Sequence, residues 1–178
     1  LGKICHKALE DEKYPWLMAL KELPNQNPRT IRKILNKMAS KVAPSREVRV
    51  TATTKDGTDL LAYWDGFDKV NKVLYEYKTS AELNKWEPWK VNYNRQLSFY
   101  AYIYLLKWHS YFREIRLFYL NTEKGTAETF ITARGPRDID LVAQEIKDAV
   151  AEMRGMGLWE KRLTAKERQN LNQPTLKI

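Results

Sequence analysis

Two acidic residues, a lysine and a pair of polar residues at helical spacing carry the chemistry that this sequence suggests. The segment VLYEYKTS, residues 73–80, predicts a β-strand because it is rich in β-branched and aromatic residues. Alternate side chains of a strand share one face, so we expect Glu76 and Lys78 to point the same way. An acid and an ammonium group would then flank one small volume.

A second acid is expected beside this pair. The segment LLAYWDGFDKV predicts the preceding strand, and residues 69–72 can close a hairpin that brings Asp68 beside Glu76. Two carboxylates about 4 Å apart repel by roughly 4 kcal/mol at an effective dielectric near 20, so such pairs usually hold a cation or share a proton. A hard divalent ion is the simplest solution, and Lys78 would then position or deprotonate a water. An exposed cross-strand pair without a function is the alternative.

Gln96 and Tyr100 follow on a predicted helix. From about Lys90 to Trp108 the apolar residues recur at helical spacing, which indicates an amphipathic helix. Gln96 and Tyr100 lie one turn apart on a neighbouring face, and both can donate hydrogen bonds to phosphate oxygens or water. Alternatively, Tyr100 packs in the core and Gln96 is a solvated neighbour.

Between Lys78 and this helix lies TSAELNKWEPWKVNYN, in which aromatic and cationic residues alternate. The rings of this segment are suited to stack on unpaired bases while its cations hold phosphates, which would favour single-stranded or frayed DNA ends. The rings are Trp86, Trp89 and Tyr93, and the cations are Lys85, Lys90 and Arg95. The alternative is a loop that buried indoles pin to the body of the protein, because an exposed Trp is costly.

The N-terminal segment LGKICHKALE places His6 among apolar residues at the start of a predicted helix. A histidine in such a place is commonly structural, although a neutral imidazole can also bind a metal.

Taken in order, these motifs resemble the RecB-like branch of the PD-(D/E)XK nuclease superfamily over roughly residues 2 to 104. The motifs are Gly-x-x-x-His-x-x-x-Glu, Gly-Phe-Asp, Glu-x-Lys-Thr and Gln-x-x-x-Tyr. In this chain they are carried by Gly2, His6 and Glu10, by Gly66, Phe67 and Asp68, by Glu76, Lys78 and Thr79, and by Gln96 and Tyr100.

The resemblance implies an α/β fold with a PD-(D/E)XK (restriction-endonuclease-like) core, in which helices flank a central mixed β-sheet. It implies that His6, Asp68 and Glu76 bind one or two Mg²⁺ or Mn²⁺ ions, with the backbone carbonyl of Tyr77 as a further ligand. Some relatives bind an iron–sulfur cluster through four cysteines, but this chain has only Cys5 and cannot do so.

The resemblance also implies that Lys78 is catalytic and that Gln96 and Tyr100 orient the DNA backbone and the lysine. The expected activity is that of a metal-dependent deoxyribonuclease, an exonuclease acting on single-stranded or frayed ends in DNA repair or recombination. Two alternatives stay open: a non-catalytic nucleic-acid-binding module of a recombination or replication complex, and an RNA-cleaving endonuclease of the same superfamily.

Composition agrees with this expectation without identifying it. The 178 residues suit one domain, and 31 Lys and Arg against 22 Asp and Glu favour polyanionic partners such as DNA. No apolar run is long enough to span a bilayer and no secretory signal is evident, so we expect an intracellular protein, of cellular, phage or viral origin, that does not bind membranes. A homo-oligomer or a larger complex is compatible with these features. The initial Leu1 suggests that a further N-terminal segment precedes it.

The expected domain comprises a helical part over about residues 1–43, a catalytic core over about 46–155 and a polar C-terminal tail. Within the core, three segments predict strands because their apolar and polar residues alternate or because they are rich in β-branched residues. They are EVRVTATT, EIRLFYLN and TAETFITA. A final amphipathic helix is predicted from about Asp138 to Met153.

Overall fold

The structure is a computed structural model that describes residues 42–80, 85–121 and 126–158, together with Arg29 and Asn36. The predicted His6 helix and residues 159–178 of the C-terminal tail lie outside the described residues. None of the described helices is both long and apolar enough to cross a membrane.

Five strands form one mixed sheet in the order β1-β2-β3-β4-β5. The β3–β4 pair is parallel and the other three pairs are antiparallel. Because parallel neighbours need a crossover, two helices run between β3 and β4. The predicted strands and the α/β class with a mixed, helix-flanked sheet are confirmed. The strands are β1 Ser45–Thr53, β2 Asp59–Asp68, β3 Val73–Ser80, β4 Glu114–Asn121 and β5 Thr126–Thr132.

Within the three described ranges, the helices are α1 Pro88–Asn92, α2 Arg95–Trp108 and α3 Pro136–Gly155. The single helix predicted from Lys90 is in fact two, because the Asn94 side chain caps a new helix by accepting a hydrogen bond of 3.1 Å from the Leu97 N–H. The final helix begins earlier than predicted, since Pro136 suits its first turn and Asp138 accepts from the Gly135 N–H at 2.9 Å.

An aromatic cluster joins β2 to α2. The Trp64 ring is fully buried, and the centroids of Phe67, Phe112 and Trp108 lie 5.2, 5.3 and 5.8 Å from its centroid. The stacked rings of Tyr104 and Phe112 complete the cluster. Such rings bury large apolar areas, so this cluster fixes α2 on one face of the sheet.

The β2–β3 turn sets the register of the hairpin. Both carboxylate oxygens of Asp68 accept hydrogen bonds from Asn71, at 2.9 Å from its backbone N–H and 2.7 Å from its side-chain amide. Lys72 completes the turn with a φ of 55°, in the left-handed region. The predicted hairpin connection is therefore confirmed, and Asp68 pairs with Val73 across it.

Gly66 lies where the segment before β1 crosses closest to β2. A Cβ at Gly66 would overlap the Cβ of Ala43 and lie 3.2 Å from that of Tyr75. Only a residue without a side chain fits this space unless the neighbouring backbone moves.

We expect Gly66→Ala to lower the free energy of unfolding by about 1–3 kcal/mol, because the added methyl group overpacks the contact with Ala43. Gly155→Ala is the matched control, since its Cβ would meet no atom within 4 Å at the end of α3. That control should be neutral or stabilising by up to about 1 kcal/mol. Urea unfolding measures both, and an equal effect of the two substitutions would contradict the assignment.

Candidate functional site

The candidate site lies where β2 and β3 separate beyond the Gly66–Tyr75 pair, a place that we call the fork. The two strands pair only through Gly66–Asp68 and Val73–Tyr75, although each continues well beyond these residues. Beyond the fork, β2 pairs with β1 and β3 pairs with β4. Backbone groups that face the fork therefore need partners other than a neighbouring strand.

Side chains of the site satisfy two of these backbone groups. The Asp65 carboxylate accepts a hydrogen bond of 2.7 Å from the Tyr77 N–H on the β3 side. On the β2 side, the Tyr63 carbonyl accepts a hydrogen bond of 3.0 Å from the Tyr100 hydroxyl. The fork is thus closed by an acid from β2 and a tyrosine from α2.

Asp65, rather than Asp68, is the acid beside Glu76. Gly66 pairs with Tyr75, and the next residues away from the turn are Asp65 on β2 and Glu76 on β3. The negative charge of Asp65 contributes to the raised pKa of Glu76. The prediction that the hairpin brings Asp68 beside Glu76 is wrong, because Asp68 lies at the turn.

Asp68 has a different environment altogether. Its two hydrogen bonds from Asn71 hold the pKa of its carboxyl group below its usual range. The carboxylate is thereby used to stabilise the turn, at the end of the strand pairing opposite to the fork. Asp68 acts on the site through the register that it fixes.

Glu76 is almost completely buried, with 1% of its surface exposed. Burial raises its pKa to about 7, and the charge of Asp65 adds to this effect. The Lys78 ammonium lies 2.5 Å from one carboxylate oxygen and opposes the shift only in part. The other oxygen, Oε2, is buried without a hydrogen-bond partner in the part of the chain that the structure describes.

A chain of hydrogen bonds holds Lys78. Its ammonium donates to the Gln96 side-chain carbonyl at 2.9 Å, and the Gln96 amide donates to the Tyr100 hydroxyl at 2.6 Å. Burial, and then the charge of Glu76, raise the pKa of Tyr100 to about 12, so its hydroxyl keeps the proton that it donates to the Tyr63 carbonyl. The structure thus brings together Glu76, Lys78, Gln96 and Tyr100 as predicted, and it adds Asp65.

The donor set of the fork suits a hard divalent cation. Mg²⁺ is typically held by one or two carboxylates together with waters and substrate phosphates, and the unpartnered Oε2 of Glu76 beside Asp65 supplies such ligands. Within the described ranges, no group of three or more His, Cys, Asp or Glu side chains is placed to hold a metal. His6 lies outside those ranges. The Tyr77 carbonyl lies on the main chain between Glu76 and Lys78, where the resemblance implies a further ligand.

The aromatic and cationic residues predicted to contact nucleic acid fall into different environments. Trp86 is half-buried and packs against the core, so its indole fits the structural alternative. Trp89 is exposed, and the Lys90 ammonium lies 5.4 Å from the centre of its ring. Arg95 forms an ion pair of 2.7 Å with Glu145 of α3.

Arg134 is a buried residue near the site that sequence reasoning missed. Its guanidinium donates to the Ser98 hydroxyl and the Val91 carbonyl at 2.8 Å each, and to the Asn94 carbonyl at 3.3 Å. These bonds tie the end of β5 to the junction of α1 and α2, from which Gln96 projects. The RGP tripeptide that contains Arg134 carries no sequence signal of this role.

No protein-family model matches the chain, and no curated protein is significantly similar to it.

The buried Glu76 predicts a pH dependence of stability in the metal-free protein. Because the pKa of Glu76 rises from 4.5 to about 7 on folding, its contribution to the stability of the folded protein is fully present below pH 4.5. This contribution is lost as pH rises through 7. We therefore expect Glu76→Gln to raise the free energy of unfolding at about pH 8 by up to about 3 kcal/mol relative to the native chain, with little difference at about pH 4.

Urea unfolding in EDTA at the two pH values measures this difference. Glu128→Gln, at an exposed position of β5, is the control and should leave the pH dependence unchanged. A pH dependence that Glu76→Gln does not alter would show that Glu76 ionises normally in the folded protein.

Proposed function

We propose that this protein is a metal-dependent nuclease that hydrolyses DNA phosphodiester bonds at the fork between β2 and β3. The observation that carries the proposal is the placement of the buried Glu76 carboxylate between Asp65 and Lys78. Two adjacent carboxylates and an ammonium group match the charges of a divalent cation and a phosphate. The order of motifs that resembles the RecB-like branch supports the same proposal.

Asp65 and Glu76 would hold the cation, with the Tyr77 carbonyl and His6 as the further ligands that the resemblance implies. A bound Mg²⁺ or Mn²⁺ would neutralise charge on the phosphate and lower the pKa of an attacking water. Asp65 replaces Asp68 in this assignment because it is the acid beside Glu76. Its hydrogen bond from the Tyr77 N–H also fixes one of its oxygens and leaves the other for a ligand.

Lys78 would contact the phosphate or the attacking water. Its side chain is about one-quarter exposed, so the ammonium group is accessible from solvent while Glu76 and Gln96 hold it. In this position it can stabilise the charge that develops on the phosphate oxygens or direct the water toward phosphorus. The proton of the water leaves toward solvent or a carboxylate, and the departing sugar oxygen takes up another.

Gln96 and Tyr100 would act mainly on the lysine. Both ends of the Gln96 amide are already engaged, by Lys78 and by Tyr100, so the pair orients the ammonium group within the fork. Gln96 is exposed and can also exchange one of these bonds for a phosphate contact. We further interpret the mixed sheet with its α1–α2 crossover as a PD-(D/E)XK core.

Cleavage of end-labelled DNA tests the proposal. Linear single-stranded, duplex and circular DNA and a matched RNA would be incubated with the protein in Mg²⁺, Mn²⁺ or EDTA. We expect metal-dependent loss of DNA, reduced at least about 100-fold in Lys78→Ala because the positioned ammonium is lost. Lys72→Ala is the control, since Lys72 lies at the turn and contacts Ser110 instead.

The substrates separate the alternatives. Sparing of circular DNA supports exonuclease action at ends, whereas cleavage of RNA alone would assign the chain to the RNA-cleaving alternative. Tight, salt-sensitive binding without cleavage in either metal would favour the non-catalytic binding module. Unchanged turnover in Lys78→Ala would remove the lysine from the mechanism.

A further inference from the structure

Two strongly exposed aromatic rings lie a few residues before Gln96 in the chain. Trp89 is 58% exposed and Tyr93 is 79% exposed, although aromatic rings are usually buried. They are one helical turn apart, because Tyr93 caps the end of α1 and its N–H donates to the Trp89 carbonyl at 3.1 Å. Both rings therefore belong to one surface, which we call the α1 surface and define by Trp89, Lys90, Asn92 and Tyr93.

The backbone under the α1 surface is firmly held. Val91 is buried at 1% exposure, and its carbonyl accepts a hydrogen bond from the buried Arg134. The Trp89 indole N–H donates to the Glu87 carboxylate, which limits rotation of the ring. A ring that is already ordered, as that of Trp89 is, loses little conformational entropy when a ligand stacks on it.

Polar and cationic groups surround these rings. The Lys90 ammonium lies over the Trp89 ring and 3.9 Å from the Glu87 carboxylate. Next to Tyr93, a cavity of about 430 Å³ is lined by Arg95, Arg137 and Asp138 among others. A protein-binding surface typically has an apolar centre, which the polar neighbours of Trp89 and Tyr93 do not provide. Alternation of rings with cations is instead typical of surfaces that bind single-stranded nucleic acid.

The α1 surface is also close to the candidate site. Tyr93 precedes Gln96 by three residues, so their Cα atoms lie within about 11 Å of each other. Gln96 in turn contacts Lys78 at 2.9 Å. A strand whose phosphate lies at Lys78 can therefore reach the Tyr93 ring within a few nucleotides.

We propose that the α1 surface binds unpaired nucleotides of the DNA strand, with bases stacking on Trp89 and Tyr93 and phosphates contacting Lys90 and Arg137. The surface would select single-stranded DNA or frayed ends over intact duplex, because bases within a duplex present no free face to these rings. Trp86 takes no part, since it packs against the core. This inference rests on the proposed function for its substrate, but binding alone can test it.

Fluorescence anisotropy in EDTA, without cleavage, is the experiment. Labelled oligo-dT, a duplex hairpin of equal length and oligo-U would be titrated with the native chain and with the Trp89→Ala/Tyr93→Ala double variant. We expect affinity for oligo-dT to fall at least tenfold and affinity for the duplex to change less than about threefold, because stacking on the two rings is lost. Trp89→Phe/Tyr93→Phe keeps the rings and should restore most of the binding.

Tyr111→Ala is the matched control, because Tyr111 is 43% exposed but lies after the opposite end of α2. Circular dichroism checks that each variant is folded, and Tyr93→Ala alone provides a milder second variant. Equal losses on oligo-dT and oligo-U support stacking that does not read the sugar. Equal losses on single strand and duplex, or no loss on either, would overturn the proposal.

The outcomes separate this proposal from the nuclease proposal. If the native chain binds oligo-dT through these rings but cleaves nothing, the nuclease proposal is refuted and the α1 surface proposal is supported. If the variant without both rings cleaves DNA with the same strand preference as the native chain, the α1 surface proposal is refuted and the nuclease proposal is supported.

Discussion

Burial of the Glu76 carboxyl group is the constraint on which the rest of the candidate site depends. A carboxylate with 1% exposure, next to a second acid, is unfavourable when ionised, and its pKa of about 7 measures that cost. Lys78 offsets the cost only partly, and one oxygen of Glu76 keeps no hydrogen-bond partner among the described residues. A divalent cation bound as we propose would remove the repulsion between the two carboxylates.

The backbone produces this arrangement through the hairpin and its fork. The Asp68–Asn71 turn fixes the register that places Asp65 beside Glu76, and separation of β2 from β3 leaves backbone groups that Asp65 and Tyr100 satisfy. Trp64 adjoins Asp65 and anchors β2 in the aromatic cluster. The same side chains therefore hold the fork together and position the candidate catalytic groups.

The strands and the shared face of Glu76 and Lys78 could be predicted because they follow from local spacing. The contact of Lys78 with Gln96 was expected only from the resemblance to the RecB-like branch. Asp65 was missed although the predicted turn contained the information: counting strand pairs back from a turn at residues 69–72 places it opposite Glu76. The fork and the bonds of Arg134 could not be predicted, since both depend on tertiary packing of distant segments. The different burial of Trp86 and Trp89 has the same cause, because both occur in one short segment of similar composition.

Calorimetric titration of Mn²⁺ into the native chain, Asp65→Asn and Asp68→Asn tests the central claim most directly. Asn at position 65 can still accept the hydrogen bond from the Tyr77 N–H, so this substitution removes the charge while it preserves the fork. The account predicts that Asp65→Asn weakens Mn²⁺ binding at least about tenfold, because a carboxylate ligand is lost. It predicts that Asp68→Asn changes Mn²⁺ binding less than about twofold, because Asn keeps an oxygen that can accept from the Asn71 N–H and preserve the turn. Loss of Mn²⁺ binding in Asp68→Asn with retention in Asp65→Asn would contradict it.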